Sequence, residues 1–157
     1  MDNAALITKF YDSFSKGDVD GMLSCYHPDI RFEDPAFGVL HGKDAGHMWR
    51  MLITGIKEPI KITFRDVEAN QLTGKAHWRA DYKFSQTGNT VINEIDAAFE
   101  FKDGKIIKHT DTFDMWKWSR QALGMPGWLL GWSPFMKSKI NQRTAGLLKA
   151  YKTKIGV

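Results

Sequence analysis

Asp34 is the residue of this sequence best placed to serve as a buried acid or base. The stretch Ile30 to Asp34 alternates as a strand does, so Asp34 shares a face with Ile30 and Phe32. If this face points to the interior, desolvation raises the pKa of the carboxyl and suits it to general acid or base catalysis. A second interpretation carries equal weight: Asp34 precedes Pro35 and caps a turn.

Three further charged residues have a spacing that fits the same chemistry. Period-2 alternation places Arg79 and Asp81 on one strand face, and Asp111 shares the face of a later strand with His109 and Phe113. Two carboxylates near an Arg could divide the roles of acid and base. The alternative is a ladder of ion pairs on a half-solvated sheet face, which is common and contributes little to stability.

The elements that must position these residues change character at Pro59. Before it, apolar spacing of three and four predicts a helix over 3–16 and a short one after Asp18. His27-Pro28-Asp29 indicates a turn, followed by the strand 30–34 and a helix over 42–54. After Pro59, alternation predicts four strands over about 60–69, 75–85, 90–102 and 105–115.

This order of elements predicts an α+β fold, with helices on one side of a curved antiparallel sheet. Two further helices, over 116–124 and 134–153, form a C-terminal tail. At 157 residues the chain fits one domain, with a core over about 3–116 and a tail over about 117–157. The cluster of Trp116, Trp118, Trp128 and Trp132 is interpreted as a lid, an interface or ordinary helix packing.

Composition excludes several classes of protein. The single Cys25 allows no intrachain disulfide, and no third ligand joins His77 and His109, so we expect no metal site. No signal peptide, membrane-spanning run, phosphate loop or nucleic-acid motif is visible. We therefore expect a soluble cytoplasmic protein that needs no cofactor and binds no nucleic acid.

The charge of the chain is divided unevenly. Residues 1–114 have a net charge of −4, whereas residues 115–157 contain eight basic and no acidic residues. A basic tail could dock on the acidic body, on a second subunit or on an anionic membrane surface. Because this tail is also rich in apolar residues, docking within the protein or dimer is favoured two to one.

Two stretches of the sequence resemble the nuclear transport factor 2-like superfamily, which includes SnoaL-like polyketide cyclases, ketosteroid isomerases and limonene epoxide hydrolases. They are FYDSFSKGDVDGMLSCYHPDIRFEDP, which starts at Phe10, and GKIIKHTDTFD, which starts at Gly104. The resemblance covers about residues 3–116 and implies a cone-shaped α+β fold, an apolar pocket and a homodimer. It does not identify the reaction, because this fold hosts unrelated functions.

The resemblance bears on the charged residues in two ways. Asp34 corresponds to the general base of ketosteroid isomerases, although Phe10 stands where those enzymes have a Tyr. Arg79, Asp81 and Asp111 resemble the set of limonene epoxide hydrolases, in which an Arg orients two carboxylates around a water and an epoxide. Phe32 and Asp34 replace the Tyr and Asn that hold the water in that family.

We therefore expect a cofactor-independent enzyme that uses carboxylates for epoxide hydrolysis, isomerisation or ring closure on a lipophilic molecule. Asp34, Arg79, Asp81 and Asp111 are the candidate catalytic residues. The substrate-binding candidates are apolar, aromatic or imidazole side chains near them: Phe10, Phe32, Trp49, His109, Phe113 and Trp116. The alternative is a binding protein without catalysis that uses the same pocket or the Trp-rich tail, and membrane contact through the basic tail is the weakest of the three hypotheses.

Overall fold

The computed structural model describes residues 1–55, 58–125 and 133–157. Its helices are α1 (Asn3–Ser15), α2 (Val19–Leu23), α3 (Lys43–Thr54), α4 (Met115–Leu123) and α5 (Pro134–Ile155). Its strands are β1 (Tyr26–Asp34), β2 (Gly38–His41), β3 (Lys61–Ala69), β4 (Thr73–Lys83), β5 (Thr90–Lys102) and β6 (Lys105–Thr112). The helices and the four long strands predicted from the sequence are present, with ends shifted by a few residues.

Local side-chain chemistry fixes where the helices begin. The carboxylates of Asp2, Asp18 and Asp114 each accept a hydrogen bond from a backbone amide in the first turn of α1, α2 and α4. Ser133 does the same for α5, and Pro134 follows it in the first turn. Such caps satisfy amides that have no partner within the helix.

The six strands form one sheet in the order β2-β1-β6-β5-β4-β3. Neighbouring strands are antiparallel except β1 and β6, which run parallel. Asp103 and Gly104 turn the β5–β6 hairpin with positive φ angles of 53° and 73°. The predicted α+β class is confirmed: a curved sheet carries helices on one face and a helical tail follows it.

Two features of the sheet differ from the prediction. His27-Pro28-Asp29 is part of β1 rather than a turn, and β1 starts at Tyr26. The pairing of β1 with β6 is irregular between Tyr26 and Arg31, where Pro28 has no amide to donate. The strand β2 was not predicted because it has only four residues.

The core lies between the sheet and the helices α1 and α3. Helix α1 contributes Ile7, Phe10 and Tyr11, which are fully buried, and α3 contributes Met48 and Trp49. They pack against the inner face of the sheet in one continuous apolar cluster. The sheet therefore has a dry inner face and an outer face that remains polar.

The C-terminal tail docks on the body, as its apolar residues favoured. Helix α4 lies against β5, where the Gln121 side chain hydrogen-bonds both backbone groups of Ile92. Helix α5 packs on α3, buries Leu148 and forms an ion pair of 2.7 Å between Lys152 and Asp44. Trp128 and Trp132 lie outside the described residues, and none of the helices described is long and apolar enough to span a membrane.

Candidate functional site

A chain of hydrogen bonds crosses the buried inner face of the sheet and has His109 at its centre. The Tyr26 hydroxyl lies 2.8 Å from Nδ1 of His109, and Nε2 of His109 lies 2.9 Å from Oδ1 of Asp111. Trp49 Nε1 donates to the Tyr26 hydroxyl at 3.0 Å, and Trp78 Nε1 donates to Asp111 Oδ1 at 3.3 Å. The chain thus joins α3, β1, β6 and β4.

The direction of these hydrogen bonds assigns the tautomer of His109. The Tyr26 hydroxyl accepts from Trp49, so its own proton is available to His109 Nδ1. His109 then carries its proton on Nε2 and donates it to Asp111. This assignment pairs every donor of the chain with an acceptor, as a fully buried network requires.

Aromatic rings enclose the imidazole of His109. The ring centroids of Phe10, Phe32, Phe99 and Trp49 lie 5.4, 5.2, 4.6 and 6.4 Å from that of His109. The imidazole itself is fully buried. The His109–Asp111 pair therefore sits in a medium of low polarity, where a hydrogen bond between charged or dipolar groups is stronger than in water.

Asp34 and Asp111 lie on adjacent parallel strands and share the inner face. The register pairs Phe32 with His109 and Glu33 with Thr110, so its continuation places Asp34 beside Asp111. Burial raises the pKa of Asp34 to about 7, and the nearby charge of Asp111 adds to that rise, while the amide of Phe37 opposes it. The two carboxyl groups thus differ in environment: Asp111 accepts two side-chain hydrogen bonds, whereas Asp34 accepts a backbone amide.

Asp34 also caps a turn, so it is both a carboxyl on the inner face and a turn residue, the two interpretations that the sequence allowed. Its Oδ1 accepts a hydrogen bond of 2.5 Å from the amide of Phe37 in the turn between β1 and β2. The side chain is half-buried, whereas Asp111 is buried. Asp34 therefore lies nearer to solvent than the hydrogen-bond chain around His109.

The structure separates Arg79 and Asp81 from Asp111, which corrects the expectation that Arg79 orients both carboxylates. In β4 the inward residues are Ala76, Trp78 and Ala80, and Trp78 donates to Asp111. Arg79 and Asp81 alternate with them and so lie on the outer face, where they form an ion pair of 2.7 Å. The parity of the strand, which placed Arg79 with Asp81 correctly, also excludes both from the face of Asp111.

A ladder of ion pairs lies on the outer face of the sheet, which was the alternative interpretation of these residues. Arg79 is 3.8 Å from Glu94, and His77 contacts both Glu94 and Asp96. A depression of about 190 Å³ lies among these groups; its lining residues are Thr63, Phe64, Arg65, His77, Arg79 and Glu94. Hydrogen bonding to Asp81 raises the pKa of Arg79, and hydrogen bonding to Arg79 lowers the pKa of Asp81, as expected of a solvated pair.

The structure brings most of the expected substrate-binding residues to the inner face. Phe10, Phe32, Trp49 and His109 are buried around the hydrogen-bond chain, and Phe113 is half-buried against the same core. Trp116 differs: it is 36% exposed on α4, with the Arg120 guanidinium 4.2 Å above its ring. Five of the six candidates thus share the setting of Asp111.

Sequence reasoning missed Tyr26, Trp78 and Tyr11 as members of this site. Tyr26 has the same parity as Ile30, Phe32 and Asp34, a signal that the turn assigned to His27-Pro28-Asp29 concealed. Tyr11 reaches the interior from α1; its buried hydroxyl has no hydrogen-bond partner among the described residues. Burial raises the pKa of Tyr11 well above its usual value, and the charge of Asp111 adds to the rise.

Residues 7–109 match the model of the SnoaL-like domain, which places the α+β fold in the nuclear transport factor 2-like class. The chain belongs to the SnoaL-like domain family. No curated protein matched the chain in sequence. Among the described residues, no group of three or more His, Cys, Asp or Glu is arranged to hold a metal ion.

Solved structures share this fold at low sequence identity. TerC co-crystallised with polyporic acid superposes with a TM-score of 0.61 at 19% identity, over 71% of this chain and 91% of that one. A putative polyketide cyclase from Pseudomonas putida gives 0.64 at 17%, over 78% and 98%. A limonene epoxide hydrolase-like enzyme of M. tuberculosis gives 0.60 at 16%, over 76% and 88%.

Proposed function

We propose that this protein is a cofactor-independent enzyme that acts on a lipophilic small molecule by acid–base chemistry. The observation that carries the proposal is the pair Asp34 and Asp111 on adjacent strands of an aromatic interior. The pKa of Asp34, raised to about 7, lets this carboxyl exchange a proton with a substrate near neutral pH. Asp111 and His109 supply a fixed acceptor and dipole beside it.

The roles of the two carboxyl groups follow from their surroundings. Asp34 is the group that moves a proton, because its burial lets the protonated and ionised forms coexist near neutral pH. Asp111 is held by His109 and Trp78, so it serves as a fixed hydrogen-bond acceptor beside Asp34. Isomerisation, epoxide opening and ring closure all involve proton transfers that such a carboxyl can perform.

The side chains around Asp34 and Asp111 favour a largely apolar substrate with at least one oxygen. Phe10 stacks on Tyr26, and Phe32 meets Trp49 edge to face, so a substrate that reaches Asp34 would enter aromatic surroundings, which favour a flat hydrophobic molecule. The Tyr11 hydroxyl is a buried donor whose partner among the described residues is missing. A carbonyl or hydroxyl oxygen of the substrate is a suitable acceptor for it.

Fold relatives support this class of chemistry. They include putative polyketide cyclases, an epoxide hydrolase-like enzyme and a putative hydroxylase, AclR from Streptomyces galilaeus. Each of these names describes the relative itself. They justify a substrate panel of epoxides, enones and aromatic polyketide-like phenols, with polyporic acid as a binding probe.

The test is turnover of that panel by the wild type and three variants. Asp34→Asn and Asp111→Asn should each lower kcat/KM by about 10²-fold or more, the usual worth of a positioned acid or base. Asp81→Asn is the matched control, because it removes a carboxylate from the opposite face of the sheet and should retain activity. Full activity of Asp34→Asn on a substrate that the wild type converts would overturn the proposal.

A binding protein without catalysis is the second candidate, and the close packing around His109 favours it. Five aromatic rings with centroids within 6.4 Å leave the imidazole enclosed, as in a purely structural network. Polyporic acid binding, followed through quenching of the intrinsic tryptophan fluorescence, with no turnover of the panel would select this alternative. Equal affinity of Asp34→Asn for the probe would show that the carboxyl takes no part in recognition.

The proposal includes a homodimer, which the family resemblance implies, and sedimentation equilibrium measures it directly. Contact of the tail with an anionic membrane surface has one supporting feature. The cations Lys139, Arg143 and Lys149 are exposed along α5, which has no acidic residue. Sedimentation with anionic liposomes, compared with neutral ones, tests that contact.

A further inference from the structure

Helix α5 makes a specific polar contact with the turn that follows Asp34. The Asn141 side-chain amide donates to the carbonyl oxygens of Pro35 and Ala36, at 2.8 and 2.6 Å. The Thr144 hydroxyl lies 2.8 Å from the same Ala36 oxygen, and 2.9 Å from the Asn141 carbonyl oxygen of its own helix, so its single proton is shared between these two acceptors. Asn141 and Thr144 are three positions apart and therefore lie on one face of the helix.

The same turn is held from its other side by Asp34. Its carboxylate accepts from the Phe37 amide, while α5 takes the carbonyl groups of the two preceding residues. Asp34 thus binds an amide of the three-residue turn, and α5 binds two of its carbonyl oxygens. A displacement of the turn would move the Phe37 amide and, with it, the carboxylate it binds.

We propose that Asn141 and Thr144 are positioning residues that fix the location and solvent shielding of Asp34. The importance of Asn141 and Thr144 for catalysis rests on the function proposed above, but their effect on Asp34 does not. These two residues lie outside the family match at residues 7–109, so the device belongs to the added tail of this chain. The tail thereby acts on the site without contributing a group to the reaction.

The groups that face Asp34 make the effect measurable. Asp111 and His109 approach it from β6, and the amides of Ala36 and Phe37 come from the turn. On α5 the nearest cations in sequence to Asn141 are Lys139 and Arg143, which are exposed. With the turn released, Asp34 gains solvent, and because burial is the main cause of its raised pKa, that pKa falls.

The experiment follows the titration of Asp34 by carboxyl ¹³C NMR in the full chain, with Asp34→Asn to assign the signal. Asn141→Ala and Thr144→Val should each lower the midpoint from about 7 by about one pH unit or more. Thr144→Ser keeps the hydroxyl and should restore the wild-type midpoint. If a substrate is turned over, the acidic limb of the kcat/KM profile should move by the same amount.

Lys152→Met is the control, because it breaks the ion pair of α5 with Asp44 and leaves the turn contacts intact. It should leave the Asp34 midpoint unchanged. The proposal is overturned if Asn141→Ala and Thr144→Val both titrate as the wild type does, or if Lys152→Met shifts the midpoint equally. A shifted midpoint together with undiminished activity of Asp34→Asn would leave the positioning role intact and refute the catalytic one.

Discussion

The Tyr26 hydroxyl and Nδ1 of His109 lie 2.8 Å apart at the centre of the buried hydrogen-bond chain. This contact joins the start of β1 to β6, although 83 residues separate the two in sequence. Because the hydroxyl also accepts from Trp49, it determines which nitrogen of His109 carries the proton. The orientation of the His109–Asp111 pair therefore depends on a tyrosine that is not itself a candidate catalyst.

Removal of that hydroxyl should be costly. Tyr26→Phe leaves Trp49 Nε1 and His109 Nδ1 without their partner in a dry interior, at about 1–3 kcal/mol of unfolding free energy for each group. Urea unfolding at pH 7 measures the loss. Tyr151→Phe, a half-buried tyrosine of α5, is the control and should change stability by less than about 0.5 kcal/mol. A Tyr26→Phe loss no larger than that of the control would contradict the assigned hydrogen-bond chain.

The raised pKa of Asp34 predicts how stability depends on pH. The folded protein retains the Asp34 proton up to about pH 7, whereas an unfolded aspartate releases it near pH 4. The folded state thus binds more protons over this interval, so this residue makes stability fall as the pH rises from about 4 to 7. Asp34→Asn removes the penalty and should be more stable than the wild type at pH 8, by on the order of 1–4 kcal/mol.

Unfolding of the wild type and of Asp34→Asn at pH 4 and pH 8 checks this prediction. The quantity compared is the difference in unfolding free energy between the two proteins at each pH. The difference should be much smaller at pH 4, where Asp34 is protonated in the folded state and about half protonated in the unfolded chain. Asp81→Asn is expected to behave in the opposite sense, because hydrogen bonding to Arg79 lowers the pKa of Asp81. That contribution is present above the unfolded pKa and is lost as the pH falls. A stability difference between Asp34→Asn and the wild type that is equal at both pH values would refute the raised pKa of Asp34.

His77 on the outer face should stabilise the fold only at the lower end of the physiological range. Its two ring nitrogens contact Asp96 and Glu94, which requires the doubly protonated form, and these contacts raise the pKa of His77. Arg65 on β3 opposes the rise. With a raised folded-state pKa, the stabilisation is complete below the unfolded value of about 6.5 and disappears as the pH rises through the folded value.

Thermal unfolding of His77→Gln at pH 6 and pH 9 measures this effect. The variant should lose more Tm relative to wild type at pH 6 than at pH 9. His41→Gln, which replaces an exposed histidine of β2, serves as the control and should show no such difference. A His77→Gln deficit that is the same at both pH values would show that the carboxylates do not hold the imidazolium.

Two glycines should respond to alanine in opposite directions. At Gly74 a Cβ would lie 2.8 Å from Ile7 Cδ1 and 3.1 Å from the Glu68 carbonyl oxygen, so Gly74→Ala should cost about 1–3 kcal/mol. At Gly146, within α5, a Cβ meets no described atom within 4 Å, so Gly146→Ala should stabilise by about 0.5–1 kcal/mol. Chemical denaturation distinguishes them, and a stabilising Gly74→Ala would show that α1 does not approach β4 as closely as described.

Much of the fold could be predicted because local patterns specify it. Alternation after Pro59 gave the strands β3 to β6, and the apolar spacing around Phe10 gave α1. The strand β2 and the start of β1 were missed, since a four-residue strand has little pattern and Pro28 is typical of a turn. Both features depend on pairing with distant strands rather than on local preference.

The candidate site was predicted in part, for the same reason. Strand parity correctly placed Asp34 with Phe32, Asp111 with His109, and Arg79 with Asp81, since parity is a property of each strand alone. It could not say which face of β4 turns inward. Trp78 occupies that inward face, so Arg79 and Asp81 form a solvated ion pair.

The sequence by itself determined most of the helices and strands, the family and the set of polar residues available for chemistry. Only the tertiary structure decided which of them meet: Asp34 with Asp111 across two parallel strands, Tyr26 with His109, and Asn141 with the turn beyond Asp34. These contacts join residues up to 106 positions apart. Their partners are set by strand order and helix docking, which follow from burial of the whole core and not from the spacing of any one segment.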